Sequence, residues 1–368
     1  GFLSENAEFA QKCENNGIIF IGPKVSVLKS LGDKVKAKEV AVSRNIPIIR
    51  SSERELESVE TALEEAEEIG YPVMLKAASG GGGRGMRVIQ NEEQLRSGFP
   101  ESKREALNSF GDDTVFLEKF VEDPKHIEIQ IVADAHGNMV HLFERDCSVQ
   151  RRYQKVIEFA PSYGLSQELK DKLYHYALEI CRAVDYNNIG TVEFLVDQQG
   201  NIFFIEVNPR IQVEHTVTEI ITNIDLVKTQ IFVAGGYKLS DPQIKIEAQE
   251  KIRINGFAVQ SRITTEDPLN DFQPDYGTIT TYRSASGFGI RLDAGSVYQG
   301  VSISPFFDSM LVKVSASGRT LDGACRKMRR ALAEFRIRGV KTNIGFLDNI
   351  LSHPTFRSGE VTVNFIKD

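Results

Sequence analysis

Four consecutive glycines, residues 80–83, constrain this chain more than any other feature. They sit within Lys76-Ala77-Ala78-Ser79-Gly80-Gly81-Gly82-Gly83-Arg84-Gly85-Met86, between apolar runs at residues 73–76 and 86–89. Glycine has no Cβ, so the backbone of such a loop can approach a ligand closely and turn several N–H groups toward phosphate oxygens. The flanking runs read as strands, which predicts a hairpin flap. The Gly-Lys-Ser/Thr ending of a P-loop is missing, and so is the helix start of a Rossmann turn. Glycine also loses more conformational entropy on ordering than other residues, so the flap is expected to order around its ligand.

The 368 residues are 41% hydrophobic and 26% charged, which suits two or three globular domains with sizeable cores. A net charge of −7 does not favour a nucleic-acid partner. No run of 18 or more apolar residues predicts a membrane span. Cys13, Cys147, Cys181 and Cys325 are scattered without a CxxC pair, which fits a reducing compartment and speaks against a disulfide framework or a zinc site. The opening Gly1-Phe2-Leu3-Ser4-Glu5-Asn6 is not a signal peptide and reads as the interior of a longer protein.

The pattern along the chain predicts mixed α/β and α+β structure. A helix over 6–15, a strand over 18–21 and the Gly22-Pro23 turn look like the tail of an α/β unit. Ser58 caps a helix whose face carries Val59, Leu63, Ala66 and Ile69, stopping at Gly70. Strands are expected at 73–76, 115–120, 127–132, 140–144, 191–196 and 202–207, with a helix over 168–184. Residues 216–234 read as one helix ending at Gly235-Gly236. Residues 253–316 are strand-rich, and a last helix starts at Thr320.

Two strands joined by Asp197-Gln198-Gln199-Gly200 bring Glu206 to within about two positions of the point opposite Glu193. Period-2 geometry places Glu206 and Asn208 on one face. Two carboxylates among Phe and Ile repel each other, and a hard divalent cation such as Mg²⁺ removes that cost. Arg210, Gln212, Glu214 and His215 follow directly; an Arg can grip a planar anion and a Glu can act as a base. Glu118-Lys119-Phe120-Val121 ends a strand in the manner of an adenine edge. His126, Glu128 and Gln130 alternate onto one face. Residues 146–155 add a basic cluster.

These motifs, together with Gly32-Asp33-Lys34-Val35, Glu144-Arg145-Asp146-Cys147-Ser148 and Gln154-Lys155, resemble in order the biotin carboxylases of the ATP-grasp superfamily. Residues 208–210, 262–268 and 336–343 look most like the biotin carboxylase domain of pyruvate carboxylases, with acyl-CoA carboxylases as close relatives. The resemblance implies an ATP-grasp fold with part of an N-terminal α/β domain (1–50), an ATP-grasp domain (51–250, lid about 72–120) and a strand-rich C-terminal domain (251–368). It implies ATP contacts from Lys34, Lys76, Gly81, Gly82, Gly83, Glu118, Lys119, Val121, His126 and Gln150, and Mg²⁺ or Mn²⁺ ligation by Glu193, Glu206 and Asn208. Lys155, Arg210, Gln212 and Val213 would bind bicarbonate, Glu214 would take its proton, and Arg291 would face biotin. Implied partners are a biotin carboxyl carrier domain, a carboxyltransferase domain converting pyruvate to oxaloacetate, and a second copy of this domain. The implied location is the bacterial cytoplasm or the mitochondrial matrix. Tyr153 stands where a His is common in the family, and Phe306-Phe307 where Tyr-Tyr is frequent. Another ATP-grasp ligase, or a non-catalytic nucleotide-binding domain, are the competing readings.

Overall fold

The computed structural model describes residues 2–52, 56–78, 85–295 and 297–367. Its spine is an eight-stranded antiparallel sheet in the order β13-β14-β9-β6-β5-β4-β7-β8. The strands are β4 (Lys125–Ala133), β5 (Met139–Arg151), β6 (Gln154–Ala160), β7 (Asn188–Val196), β8 (Ile202–Asn208), β9 (Phe257–Thr264), β13 (Ile290–Ala294) and β14 (Met310–Gly318). A separate three-stranded sheet has β1 (Val73–Ala77) between β2 (Met86–Ile89) and β3 (Val115–Lys119). Two ribbons pair β10 (Glu266–Asp267) with β11 (Gln273–Pro274), and β12 (Thr281–Arg283) with β15 (Arg336–Arg338).

Alternation along β4 explains how the main sheet is dressed. Ile127, Ile129 and Ile131 are buried in one cluster with Leu173, Ala177 and Ile180 of the helix Gln167–Ala183, together with Phe194 and Phe204 of β7 and β8. Ser166 caps that helix by accepting from the Leu169 N–H, 3.2 Å away. The intervening Glu128 and Gln130 are buried too, so one face of the strand is oily and the other polar. Further along the sheet, β9 and β14 share a core with the amphipathic helix Leu321–Glu334 through Val259, Val314, Ala324 and Met328. Leu75, Leu117, Ala66 and Phe99 tie β1 and β3 to the helices Val59–Ile69 and Glu92–Phe110.

Several expectations change. Residues 18–21 form no strand: they have no strand partner among the described residues, and Ile18, Ile19 and Ile21 are exposed. The single helix expected over 216–234 is two, His215–Thr222 and Leu226–Ala234. Asn223 turns left-handed between them (φ 57°), and Asp225 caps the second by accepting from the Lys228 N–H. The helix after Thr320 is not the last, since Ile344–Ser352 and Pro354–Arg357 follow. The strand expected to end at 144 continues to Arg151. The loop that dominates the sequence, including Gly81, Gly82 and Gly83, lies outside the described residues; its flanking strands β1 and β2 do pair as an antiparallel hairpin.

Candidate active site

A cleft of about 650 Å³ lies between the small sheet and the polar face of the large one. Lys34, Lys76, Glu118, Lys119, Val121, His126, Gln150, Lys155, Glu193, Glu206, Asn208, Arg210, Gln212, Val213 and Glu214 all line it. Arg291 does not. It borders a separate shallow depression with Glu219, Asn223 and Asp225, and its guanidinium is held by Glu219 and by both Asp293 oxygens (2.8 and 2.9 Å).

Glu193 and Glu206 stand directly opposite each other across β7 and β8. They come closer in register than the hairpin count predicted, because the pairing shifts by one residue immediately afterward. Glu193 is buried and accepts from His126 Nε2 (2.6 Å), Asn208 Nδ2 (2.7 Å), Gln212 Nε2 (2.7 Å) and Lys155 Nζ (3.2 Å). Burial works against its charge, yet Lys155 and His126 hold its pKa well below the usual carboxylate range. His126 is also within 2.7 Å of Gln150 Nε2 through its other ring nitrogen, and despite burial the neighbouring Glu193 raises its pKa. Glu206 reaches out to Lys34 at 3.3 Å. Two carboxylates and an amide oxygen facing one cleft are the hard-oxygen set that Mg²⁺ prefers.

Lys155 on β6 is the hub of the polar face. Its ammonium contacts Glu128 and lies 2.8 Å from Glu214 Oε1 and 3.2 Å from Glu193 Oε1. Burial disfavours the cation, but the three carboxylates raise its pKa well above the normal value. The pKa of Glu128 rises too, for a different reason: burial, only partly offset by Lys155, pushes it up to about 7. Glu214 precedes the helix His215–Thr222, which lies over β5, β6 and β9. Its Oε2 accepts from Arg262 Nη2 at 3.1 Å. Burial alone would raise its pKa; Lys155, Arg262 and Arg145 together hold it far below the usual range.

Lys76 and Lys38 both grip the Glu118 carboxylate. Glu118 is therefore enclosed by cations at the edge of the small sheet, and the Lys119 ammonium is engaged by the Gly70 and Tyr71 carbonyls (2.8 and 3.0 Å). Burial opposes ionisation of Glu118, but the two lysines leave its pKa below 4.5. A carboxyl depressed on folding contributes stability above its unfolded pKa and loses it as pH falls through the folded one. Glu118→Gln should lower Tm at pH 7, and the gap to the unmodified protein should close as pH drops below 4.5. A gap that persisted at the acid end would show that Glu118 acts by packing instead.

The sequence reading missed Lys38, Glu128, Arg145, Glu158 and Arg262 as site residues. Lys38 stands one helical turn after Lys34 on the helix Lys34–Ser43, a spacing that puts both on one face. Arg145 is fully buried, donating to Glu128, Gln130, Thr191, Thr218 and Gln212. Arg262 bridges Glu214 to Glu158.

Comparison with known proteins bears on this arrangement. Three family models match: "Biotin carboxylase, N-terminal domain" over residues 1–28, "Carbamoyl-phosphate synthase L chain, ATP binding domain" over 33–242, and "Biotin carboxylase C-terminal domain" over 260–368. The biotin carboxylase domain of Hydrogenobacter thermophilus 2-oxoglutarate carboxylase, solved with MgADP, ADP and bicarbonate, superposes with a TM-score of 0.94 at 44% identity, covering 100% of this chain and 80% of that one. The chain belongs to the biotin carboxylases. Biotin carboxylase from Campylobacter jejuni is similar at 40% identity and a TM-score of 0.93, with the same coverage. The pyruvate carboxylases of Staphylococcus aureus and of human mitochondria are 53% and 51% identical over 368 residues. The chain spans about a third of the length of those two relatives (32% and 31%). Among the described residues, no helix is long and apolar enough to cross a membrane.

Proposed function

We propose that the chain is the biotin carboxylase unit of a pyruvate carboxylase, activating bicarbonate with ATP. One observation carries the reading: the Lys155 ammonium lies 2.8 Å from the Glu214 carboxylate, in a cleft that Arg210 and the Glu193–Glu206 pair also line. A base, two anion-binding cations and a hard-oxygen metal site in one cleft are what this reaction needs; nucleotide binding alone needs no base.

The residues divide the work. Lys76 and Lys34 meet the nucleotide phosphates, and Glu118 and Val121 border the adenine side. Lys155 and Arg210 hold bicarbonate in line with the γ-phosphate, assisted by Gln212 and the Val213 backbone. Glu214 takes the bicarbonate proton, the freed oxygen forms a bond to the γ-phosphorus, and the bond to the ADP oxygen breaks. Lys155 and Arg262 stabilise the Glu214 charge and so make it a weak base. An anion that draws on the Lys155 charge relieves that hold and raises the proton affinity of Glu214 as substrate arrives. Glu193, Glu206 and Asn208 fit Mg²⁺ or Mn²⁺, which supplies neutralisation of the phosphate charge. The carboxyphosphate splits to CO₂ and phosphate; the phosphate takes the N–H proton of biotin on a carrier domain, and the freed nitrogen forms the bond to CO₂. A carboxyltransferase domain, a second copy of this unit, and a home in the bacterial cytoplasm or mitochondrial matrix complete the proposal. Identity to pyruvate carboxylases over the whole chain favours pyruvate as final acceptor over an acyl-CoA.

The test is ATP cleavage by the full-length protein with Mg²⁺, with and without bicarbonate and free biotin. Cleavage should require bicarbonate and rise with biotin. Cleavage indifferent to both would replace this reading with another ATP-grasp ligase.

A further inference from the structure

We propose that Glu5 is a positioning residue for anion capture, fixing the guanidinium of Arg210 from outside the strands that build the cleft. The proposal rests on the reading of Arg210 as a bicarbonate ligand. Glu5 closes the short 3-10 turn Phe2–Glu5, just before the helix Ala7–Asn15. Its Oε1 lies 2.9 Å from Arg210 Nε, and both side chains are about three-quarters covered (27% and 26% exposed).

The remaining contacts of Arg210 show what this grip accomplishes. Nη2 donates to Asn208 Oδ1 at 3.0 Å and Nη1 to the Ile211 carbonyl at 3.3 Å. Asn208 in turn donates to Glu193 Oε1 at 2.7 Å. A line of contacts therefore runs Glu5–Arg210–Asn208–Glu193, from the N-terminal turn to the carboxylate pair. An arginine has four side-chain torsions, and ordering it costs conformational entropy. An ion pair with the Glu5 carboxylate and a hydrogen bond from Nη2 to an amide oxygen offset that cost before any ligand arrives, leaving a planar donor set at the cleft wall. Glu5 also offsets part of the Arg210 charge, so an anion is gripped by geometry rather than by an unbalanced cation.

A purely structural role fits poorly. The turn Phe2–Glu5 contains no buried residue, and Phe2 and Leu3 are exposed, so the ion pair does not serve to close a core. The partner chosen here sits on the loop between the metal-type carboxylates and the base.

The experiment measures steady-state kinetics of the full-length protein for bicarbonate and ATP separately. Glu5→Ala should raise the KM for bicarbonate about tenfold, the loss of one charge-assisted contact. The KM for ATP should stay within about twofold, which also reports an intact fold. Glu5→Asp, which keeps the carboxylate, should recover part of the loss. In an Arg210→Lys background, where the guanidinium is gone, Glu5→Ala should add nothing further. Unchanged bicarbonate KM in Glu5→Ala, or an equal effect in the Arg210→Lys background, overturns the proposal. If the unmodified protein cleaves ATP without regard to bicarbonate, the function itself is wrong, whatever the Glu5 variants do.

Discussion

Glu214→Gln is expected to reduce bicarbonate-dependent ATP cleavage by a factor of about 10²–10⁴, the range for removing a general base. The amide keeps the shape of the side chain and can still accept from Arg262 or Lys155, so the cleft should remain assembled. ATP affinity should not change, since Glu214 pairs with Lys155 and Arg262 and not with Lys34, Lys76 or Glu118, which are assigned to the nucleotide. The variant separates chemistry from binding: nucleotide titration gives the unmodified Kd while turnover falls. Near-normal turnover would remove Glu214 from the mechanism and return the deprotonation step to another group.

Arg145→Ala should be among the most destabilising single changes available in the cleft floor, by about 3–5 kcal/mol. Arg145 is fully buried, and each of its three nitrogens is engaged: Nε by Glu128, Nη1 by Gln130 and Thr218, Nη2 by Thr191 and Gln212. Truncation leaves the buried Glu128 with one cation fewer and orphans five acceptors at once. A urea unfolding series should place the first transition at markedly lower denaturant, and Arg145→Lys, which keeps the charge but loses the fork, should fall between. A loss under about 1 kcal/mol would mean that water enters and replaces the guanidinium.

How far the sequence was readable depends on the range of the interaction concerned. The hairpin flap strands, the capped helix after Ser58, the β7–β8 carboxylates and the alternating polar face of β4 follow from local periodicity and turn chemistry, and the folded chain keeps them. Failures occur where a distant partner decides. Residues 18–21 have strand composition but no strand to pair with among the described residues. The helix expected over 216–234 breaks at the left-handed Asn223; Asp225 caps the second helix, and Glu219 of the first accepts from the Leu226 N–H at 2.6 Å. Arg145 and Arg262 have no site role in the sequence reading, since nothing local reveals that Glu128 on β4 and Glu214 before the helix His215–Thr222 face them. Arg291 borders a second depression, where Glu219 and Asp293 hold its guanidinium; its assignment to biotin rests on the resemblance alone.

The hydrogen-bonded seam between β6 and β9 has a mechanical meaning. Lys155 rides on one strand and Arg262 on the other, so the two cations that set the charge of Glu214 belong to a single stiff plate. The small sheet shares no ladder with that plate among the described residues. Lys155 and Arg262 are therefore spaced by one set of ladders, and Lys76 and Glu118 by another.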